Sequence, residues 1–283
     1  MGYYHIELSD KYKELCTIVT QWGNHKYQWL PMGLFNSPDI FQENMSELFV
    51  SLDTERVYID NIFHVRKGSW KEHITVLKNM FTRLHKARLK VKASKSYFGA
   101  HKFDYLGYHV TRDVVMPIPN KVKAIQALAV PKTSKQLRQF IIMINFYHDM
   151  WEKSSELLAP LTALTSKNVK YDWKDEHQKC FDAIKRVIGR EVLLAYPNFN
   201  APFEIHTDAS KIQIGAVIPQ KGKPINFYSR NMNSAQQYYI TTEKELLSIV
   251  ASIKEFCNNI LGHQITVYTD HKNLTYNFLI QNT

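Results

Sequence analysis

Cysteine is nearly missing from this sequence: Cys16, Cys180 and Cys257 are the only three in 283 residues. They are far apart and have no metal-ligand spacing, which excludes a disulfide scaffold or zinc-finger reading and leaves free thiols of a reducing compartment as the expectation. Long apolar runs are absent too; none approaches the roughly 20 residues that span a bilayer. The first residues, with Glu7, Asp10, Lys11, Lys13 and Glu14, hold no apolar stretch of the signal-peptide kind. No internal repeat or low-complexity segment stands out. With 45% hydrophobic residues the chain has enough apolar content for two or three cores. Lys and Arg outnumber Asp and Glu by 36 to 26, a formal charge of +10, which favours a polyanionic partner. Composition therefore indicates a basic, intracellular, mixed α and β protein (cytoplasm and nucleus are not distinguished) with no membrane partner.

Periodicity adds the elements. Val57 to Val65 reads as two short β-rich runs around an Asp-Asn pair, a hairpin pattern. Lys71 to Leu89 has a helical period, with Ile74, Leu77, Phe81 and Leu84 on one stripe. Arg83, Lys86, Arg88, Lys90, Lys92 and Lys95 make the other face and the exit basic. A strand pair is expected around Tyr97–Val110, with Gly99 and Gly107 as breakers. Helices are expected at Lys135–Met150, Ser155–Leu164 and Glu176–Ile188, with a loop at Ser166–Trp173. Three β-rich runs follow (Phe203–Thr207, Ile214–Pro219, Pro224–Ser229), then a helix Glu243–Leu261, a strand Gln264–Thr269 and a helix barely begun. Pro219 falls inside a strand pattern, where it removes a ladder donor unless it lies at an edge.

Two constellations carry chemistry. Tyr58-Ile59-Asp60-Asn61 would set an acidic side chain at a hairpin tip, as metal-dependent nucleotidyl transfer requires. Asp and Asn are also ordinary turn residues, so the hairpin alone does not decide. The second comprises Asp208, Glu245 and Asp270, in His206-Thr207-Asp208-Ala209-Ser210, Thr242-Glu243-Lys244-Glu245 and Tyr268-Thr269-Asp270-His271. Each has a structural alternative: Asp208 as a turn residue, Glu245 in a Thr242-x-x-Glu245 capping box, and Asp270 as a helix cap.

The surrounding sequence supplies a resemblance. Gly2-Tyr3-Tyr4-His5-Ile6-Glu7-Leu8, then Leu30-Pro31-Met32-Gly33-Leu34-Phe35-Asn36-Ser37-Pro38-Asp39-Ile40-Phe41-Gln42, and then Tyr58–Asn61 resemble successive blocks of gypsy-type LTR-retrotransposon reverse transcriptases. The likeness continues through Lys95 and Phe98, Tyr105-Leu106-Gly107-Tyr108, Leu137-Arg138-Gln139-Phe140, Asn145-Phe146-Tyr147 and Leu158-Ala159-Pro160-Leu161. Asp208, Glu245 and Asp270 look like three carboxylates of a retroelement RNase H. The family's order is kept along essentially the whole chain.

This resemblance implies an α+β, α/β multidomain fold. Residues 1–115 would form a partial palm with incomplete fingers, 116–195 a helical thumb and connection, and 196–283 a C-terminally truncated RNase H-like domain. It implies an RNA-directed DNA polymerase with RNase H activity. The partners would be an RNA template, a DNA primer, an RNA–DNA hybrid and dNTPs, and the cofactor Mg2+ or Mn2+. Catalytic and metal-binding roles fall to Asp60, Asp208, Glu245 and Asp270. Tyr3 would be a steric gate under the incoming sugar, Gly33 an open approach to nucleotide and template, Gln42 a support of the same pocket, and Lys95 a proton donor or phosphate contact. Leu34, Phe35 and Phe41 are expected in the core.

Departures from the family pattern matter as well. The first palm aspartate would lie upstream of Met1, and Asn61 replaces a second acid. Only Asp60 would remain against the +4 of two divalent ions, so the palm site is expected to be weak. The fourth RNase H carboxylate would lie beyond residue 283. Ile141-Ile142-Met143 replaces a stretch where the family has a glycine. The expected function is therefore polymerase and nuclease by ancestry, defective in polymerisation, with a non-catalytic nucleic-acid-binding relic as the alternative.

Overall fold

The computed structural model describes residues 2–50, 55–64, 69–167, 169–190 and 193–275. The chain divides into two compact units, Met1–Phe98 and Gly99–Thr283.

The first unit begins with a 3-10 turn, Tyr3–His5, followed by α1 (Asp10–Leu15) and a hairpin of β1 (Thr17–Thr20) and β2 (Gly23–Lys26). Then come α2 (Ser37–Phe49), a second hairpin of β3 (Glu55–Tyr58) and β4 (Asn61–His64), and α3 (Trp70–Lys86). Pro38 near the start of α2 fits because its missing N–H lies where a helix has no partner for one. Helix α3 starts on a capping box: the Ser69 hydroxyl accepts the Glu72 N–H, and Glu72 accepts the Ser69 N–H. Phe41, Met45 and Phe49 of α2 meet Met80 and Leu84 of α3, and Val57, Ile59 and Ile62 of the second hairpin close that core. The helix expected over Lys71–Leu89 and the hairpin around Asp60 are both present; Val65 lies outside the described residues. The core expectation holds for Phe41 alone. Leu34 is exposed, and Phe35 is 95% exposed, because both sit in the turn before α2 rather than on its inner face.

The second unit opens on a meander of β5 (Lys102–Tyr105), β6 (Tyr108–Thr111) and β7 (Val114–Pro117). Helices α4 (Pro119–Gln126), α5 (Ser134–Asn145), α6 (Ser154–Ala163) and α7 (Asp175–Gly189) follow, and β8 (Leu194–Ala195) returns to pair with β7. Leu137, Phe140, Ile144, Leu161, Phe181, Ile184 and Ile188 form the helical core, with the Phe140 and Phe181 rings 4.6 Å apart. Ile141 is buried in that core and Ile142 faces solvent, so the helix accommodates both β-branched residues.

Next come β9 (Phe203–Ala209), β10 (Gln213–Gln220), β11 (Lys223–Asn231), α8 (Ser234–Gln237), α9 (Thr241–Glu255), α10 (Cys257–Ile260) and β12 (Ile265–Tyr268). The sheet order is β11-β10-β9-β12, antiparallel except for the parallel β12–β9 pair. The expected βββαβ order holds, with the long helix interrupted at Phe256. Pro219 is accommodated without being in an edge strand. The register shifts between Ile218 and Pro219, and β9 pairs with β10 only from Ile214 to Val217, so no ladder donor is needed at the proline. After β12 a 3-10 turn spans Lys272–Leu274, and the rest of the expected last helix lies outside the described residues.

Candidate functional site

In the first unit the second hairpin turns through two residues, Ile59 and Asp60, between the paired Tyr58 and Asn61. Ile59 has φ +53°, in the left-handed region that disfavours a β-branched side chain. Something must hold this turn, and Gln42 does so from α2. Its amide nitrogen donates to the Val57 carbonyl at 3.0 Å, and its oxygen accepts the Ile59 N–H at 2.6 Å. A third bond, to the Ser46 hydroxyl at 3.0 Å, orients the amide. The turn leaves the Asp60 carboxylate exposed, with the Asn61 amide 3.5 Å away.

Tyr3 packs its ring 4.9 Å from Phe41, one residue from Gln42, and shares its cluster with Ile59. Tyr3, Gln42 and the Asp60 turn are thus gathered around α2. Gly33 lies in the turn before α2, where an added Cβ would meet no atom within 4 Å. Neither packing nor backbone conformation explains a glycine there. Lys95 is apart, in an exposed 3-10 turn, Ala93–Lys95.

In the second unit the three acids come from the places where strand ends meet a helix. Asp208 is in β9 beside Gly215 of β10, a strand residue and not a turn residue. Asp270 follows β12, two residues beyond its last pair, Tyr268↔His206. The next turn has no side-chain cap bond, so Asp270 is not a cap. The capping role in α9 falls to Glu243, which accepts the Ile240 N–H at 3.0 Å. This frees Glu245 to point inward, where it is 3% exposed. Small side chains make room for it: Ser248 is fully buried and donates to the Asp208 and Gly215 carbonyls at 3.1 Å each.

Glu245 Oε2 is buried with no hydrogen-bond partner. Burial, then the negative charges of Asp270 and Asp208, push the Glu245 carboxyl up from 4.5 to about 7, against a lowering bond from the Ala209 N–H. Among the described residues no three acidic, His or Cys side chains close into a ready cation cage. The two observations concern different ranges, since Coulomb coupling acts across a mouth that coordination at about 2 Å does not span. An orphaned buried oxygen facing two further carboxylates is the donor set a hard divalent ion takes, so the residues fit such an ion. At the hairpin tip the described residues offer one exposed carboxylate, Asp60, beside the neutral Asn61 amide.

A third feature joins two blocks that lie far apart in the sequence. The β5–β6 turn places Leu106 and Gly107 at φ +45° and +89°, the two-residue type favoured in hairpins. A Cβ on Gly107 would strike the Phe146 ring at 2.5 Å. Tyr147 donates to the Gly107 carbonyl at 3.0 Å and Tyr108 to the Phe146 carbonyl at 3.2 Å, which fastens the hairpin to the end of α5. Burial, with Asp149 and Tyr147 nearby, pushes the Tyr108 hydroxyl up to about 12, so it stays a donor. The Gly107-Tyr108 and Phe146-Tyr147 blocks were visible in the sequence; their mutual contact was not.

Residues 1–110 match the family described as reverse transcriptase (RNA-dependent DNA polymerase). Residues 173–267 match the RNase H-like domain found in reverse transcriptase. The retrovirus-related Pol polyprotein from transposon 297 of Drosophila melanogaster is 34% identical over 278 residues, covering 97% of this chain and 26% of that protein. The one from transposon gypsy of the same organism is 30% identical over 300 residues, covering 100% and 29%. The Tf2-7 polyprotein of Schizosaccharomyces pombe is 28% identical over 261 residues, covering 89% and 20%. The chain thus spans about a quarter of the length of these relatives. The foamy viral protease-reverse transcriptase in complex with RNA/DNA hybrid is similar in fold, with a TM-score of 0.85 at 23% identity, covering 94% of this chain and 37% of that one. The same protein in complex with dsDNA gives 0.84 at 23%, covering 94% and 57%.

Proposed function

Because the chain belongs to the reverse transcriptase–RNase H family of retrotransposon Pol proteins, we propose that its second unit holds a metal-dependent site for cutting the RNA strand of an RNA–DNA hybrid. The observation that carries this reading is Glu245, buried, raised to about 7 and facing Asp208 and Asp270. These three residues would hold Mg2+ or Mn2+. Such an ion, when bound, polarises the phosphate and makes its water acidic enough to attack. The chain's own residues set the floor and the mouth. Glu245 excludes water from its side of the site, while exposed Asp208 and Asp270 face the side a phosphodiester approaches.

The first unit is the polymerase side of the same machinery, with an RNA template, a DNA primer and dNTPs as its partners. Asp60 would be its metal ligand and Gln42 the residue that keeps the tip in place. Tyr3 would contact the incoming sugar, and the open space at Gly33 would let nucleotide and template approach the backbone. Lys95 would contact phosphate. With Asn61 neutral, this site draws divalent ions weakly, and polymerisation by this chain is impaired. On this reading the palm extends through residue 115, the thumb and connection through 195, and the nuclease domain from 196; limited proteolysis tests those divisions.

The deciding experiment is cleavage of a labelled RNA–DNA hybrid with Mg2+ or Mn2+. Cleavage by the chain that disappears in Glu245→Gln is the expected result, and cleavage unaffected by Glu245→Gln would refute the assignment. A second reading, binding without catalysis, is favoured by the exposed basic run Lys86, Arg88, Lys90 and Lys92 after α3. Hybrid binding that weakens steeply with salt, without any cleavage, would select it.

A further inference from the structure

Asp270 has a mechanical problem that its ladder does not solve. Pairing of β12 with β9 stops at Tyr268, leaving Asp270 two residues beyond any strand partner and exposed. Its charge and that of Asp208 both bear on Glu245, so the three acids repel one another across the site. Two contacts hold the segment on either side of it. Thr207 donates its hydroxyl to the Tyr268 carbonyl at 3.3 Å, and the Thr269 hydroxyl accepts the His271 N–H at 3.2 Å. The first ties the segment to β9 and the second orders it along its own chain, and neither bond involves α9.

The contact that reaches α9 is made by the next residue. His271 Nε2 lies 2.7 Å from Thr242 Oγ1, across 29 residues of sequence. Thr242 is three residues before Glu245, so the two share a face of α9. The Thr242–His271 bond therefore joins the same two elements as the Glu245–Asp270 pair, one residue along the strand and one turn along the helix.

We propose that Thr242 and His271 form a latch that positions Asp270 opposite Glu245, making both of them positioning residues for the divalent ion. The inference rests on the reading of Asp208, Glu245 and Asp270 as the ion's ligands. The latch works without touching the ion. It opposes the repulsion between the carboxylates before a cation arrives, so that less ordering remains to be done on binding. Partners that orient metal ligands from behind typically change metal affinity by about 10- to 100-fold when removed.

The test is calorimetric titration of Mn2+ into the full chain, with amide hydrogen exchange of residues 269–275 in the metal-free state. Thr242→Val and His271→Ala should each weaken Mn2+ binding about tenfold and speed exchange of that segment. The double variant should be no weaker than either single, because one bond is being removed. His271→Gln, which keeps a hydrogen-bonding atom at similar reach, should restore most of the affinity. Melting within a few degrees of wild type distinguishes the latch from general unfolding. Wild-type affinity in both single variants, or losses that multiply in the double, would overturn the latch while leaving the ligand assignment standing. A wild-type chain that takes up no Mn2+, or does so regardless of Asp270→Asn, would overturn the ligand assignment and the latch together.

Discussion

The side-chain oxygen of Gln42 accepts the backbone N–H of Ile59 at 2.6 Å, at the point where a β-branched residue adopts a positive φ. With the companion bond to Val57, one helix side chain spans both arms of the hairpin that presents Asp60. Gln42→Ala removes two partly buried hydrogen bonds at about 1 kcal/mol each. We expect a loss of about 2 kcal/mol in denaturant melts and faster amide exchange at Ile59. Unchanged exchange there would show that the turn holds itself.

Glu245 sets a pH dependence. Its folded-state carboxyl is raised from 4.5 to about 7 by burial first and by Asp270 and Asp208 next. Below 4.5 both folded and unfolded states carry the proton. Between 4.5 and 7 the folded state keeps a proton that the unfolded state has released, so metal-free stability falls as pH rises and stays low above 7. In EDTA, the melting temperature of Glu245→Gln should gain on that of wild type across this window. A constant difference from pH 4 to pH 8 would contradict the assigned shift.

Adding a carboxylate at the hairpin tip should create metal affinity. Asn61→Asp places a second negative charge beside Asp60. Attraction between a divalent ion and a carboxylate about 4 Å away is about 2 kcal/mol in water, close to thirtyfold in affinity. Against a background of Asp208→Asn, Glu245→Gln and Asp270→Asn, Mn2+ binding should strengthen by that order. The unaltered chain should give no Mg2+-dependent primer extension on a poly-rA/oligo-dT substrate, and incorporation of dNTPs there would refute the impaired-polymerase reading.

The basic exit of α3 should report itself in salt. Lys86, Arg88 and Lys90 are exposed, and Arg88 holds a positive φ of +58° at the helix end. Replacing all three with Ser should reduce the slope of log affinity against log salt for an RNA–DNA hybrid by about 2 to 3, with little effect of base sequence. An unchanged slope would place the phosphate contacts elsewhere.

Much of this was legible in residues alone. A 3.6-residue period marked α3, a β-rich run marked β9, and the Asp60 turn was readable because hairpins take few residue types. Those are local preferences, and they survive folding because they follow from backbone sterics and the need to bury one face. The family likeness, too, was carried by order and spacing. Other features depended on which elements pack together. Thr242-x-x-Glu245 has the form of a capping box, yet α9 begins earlier, Glu243 takes the cap, and Glu245 turns into the sheet. Phe35 has the composition of a core residue and lies in the open, while Gln42, polar and unremarkable in a helix, grips a hairpin turn. Local pattern pointed to most of the elements and to Asp208, Glu245 and Asp270 as candidates. That Glu245 is the buried one and that His271 bonds to Thr242 came from packing, because both depend on contacts between residues distant in the chain.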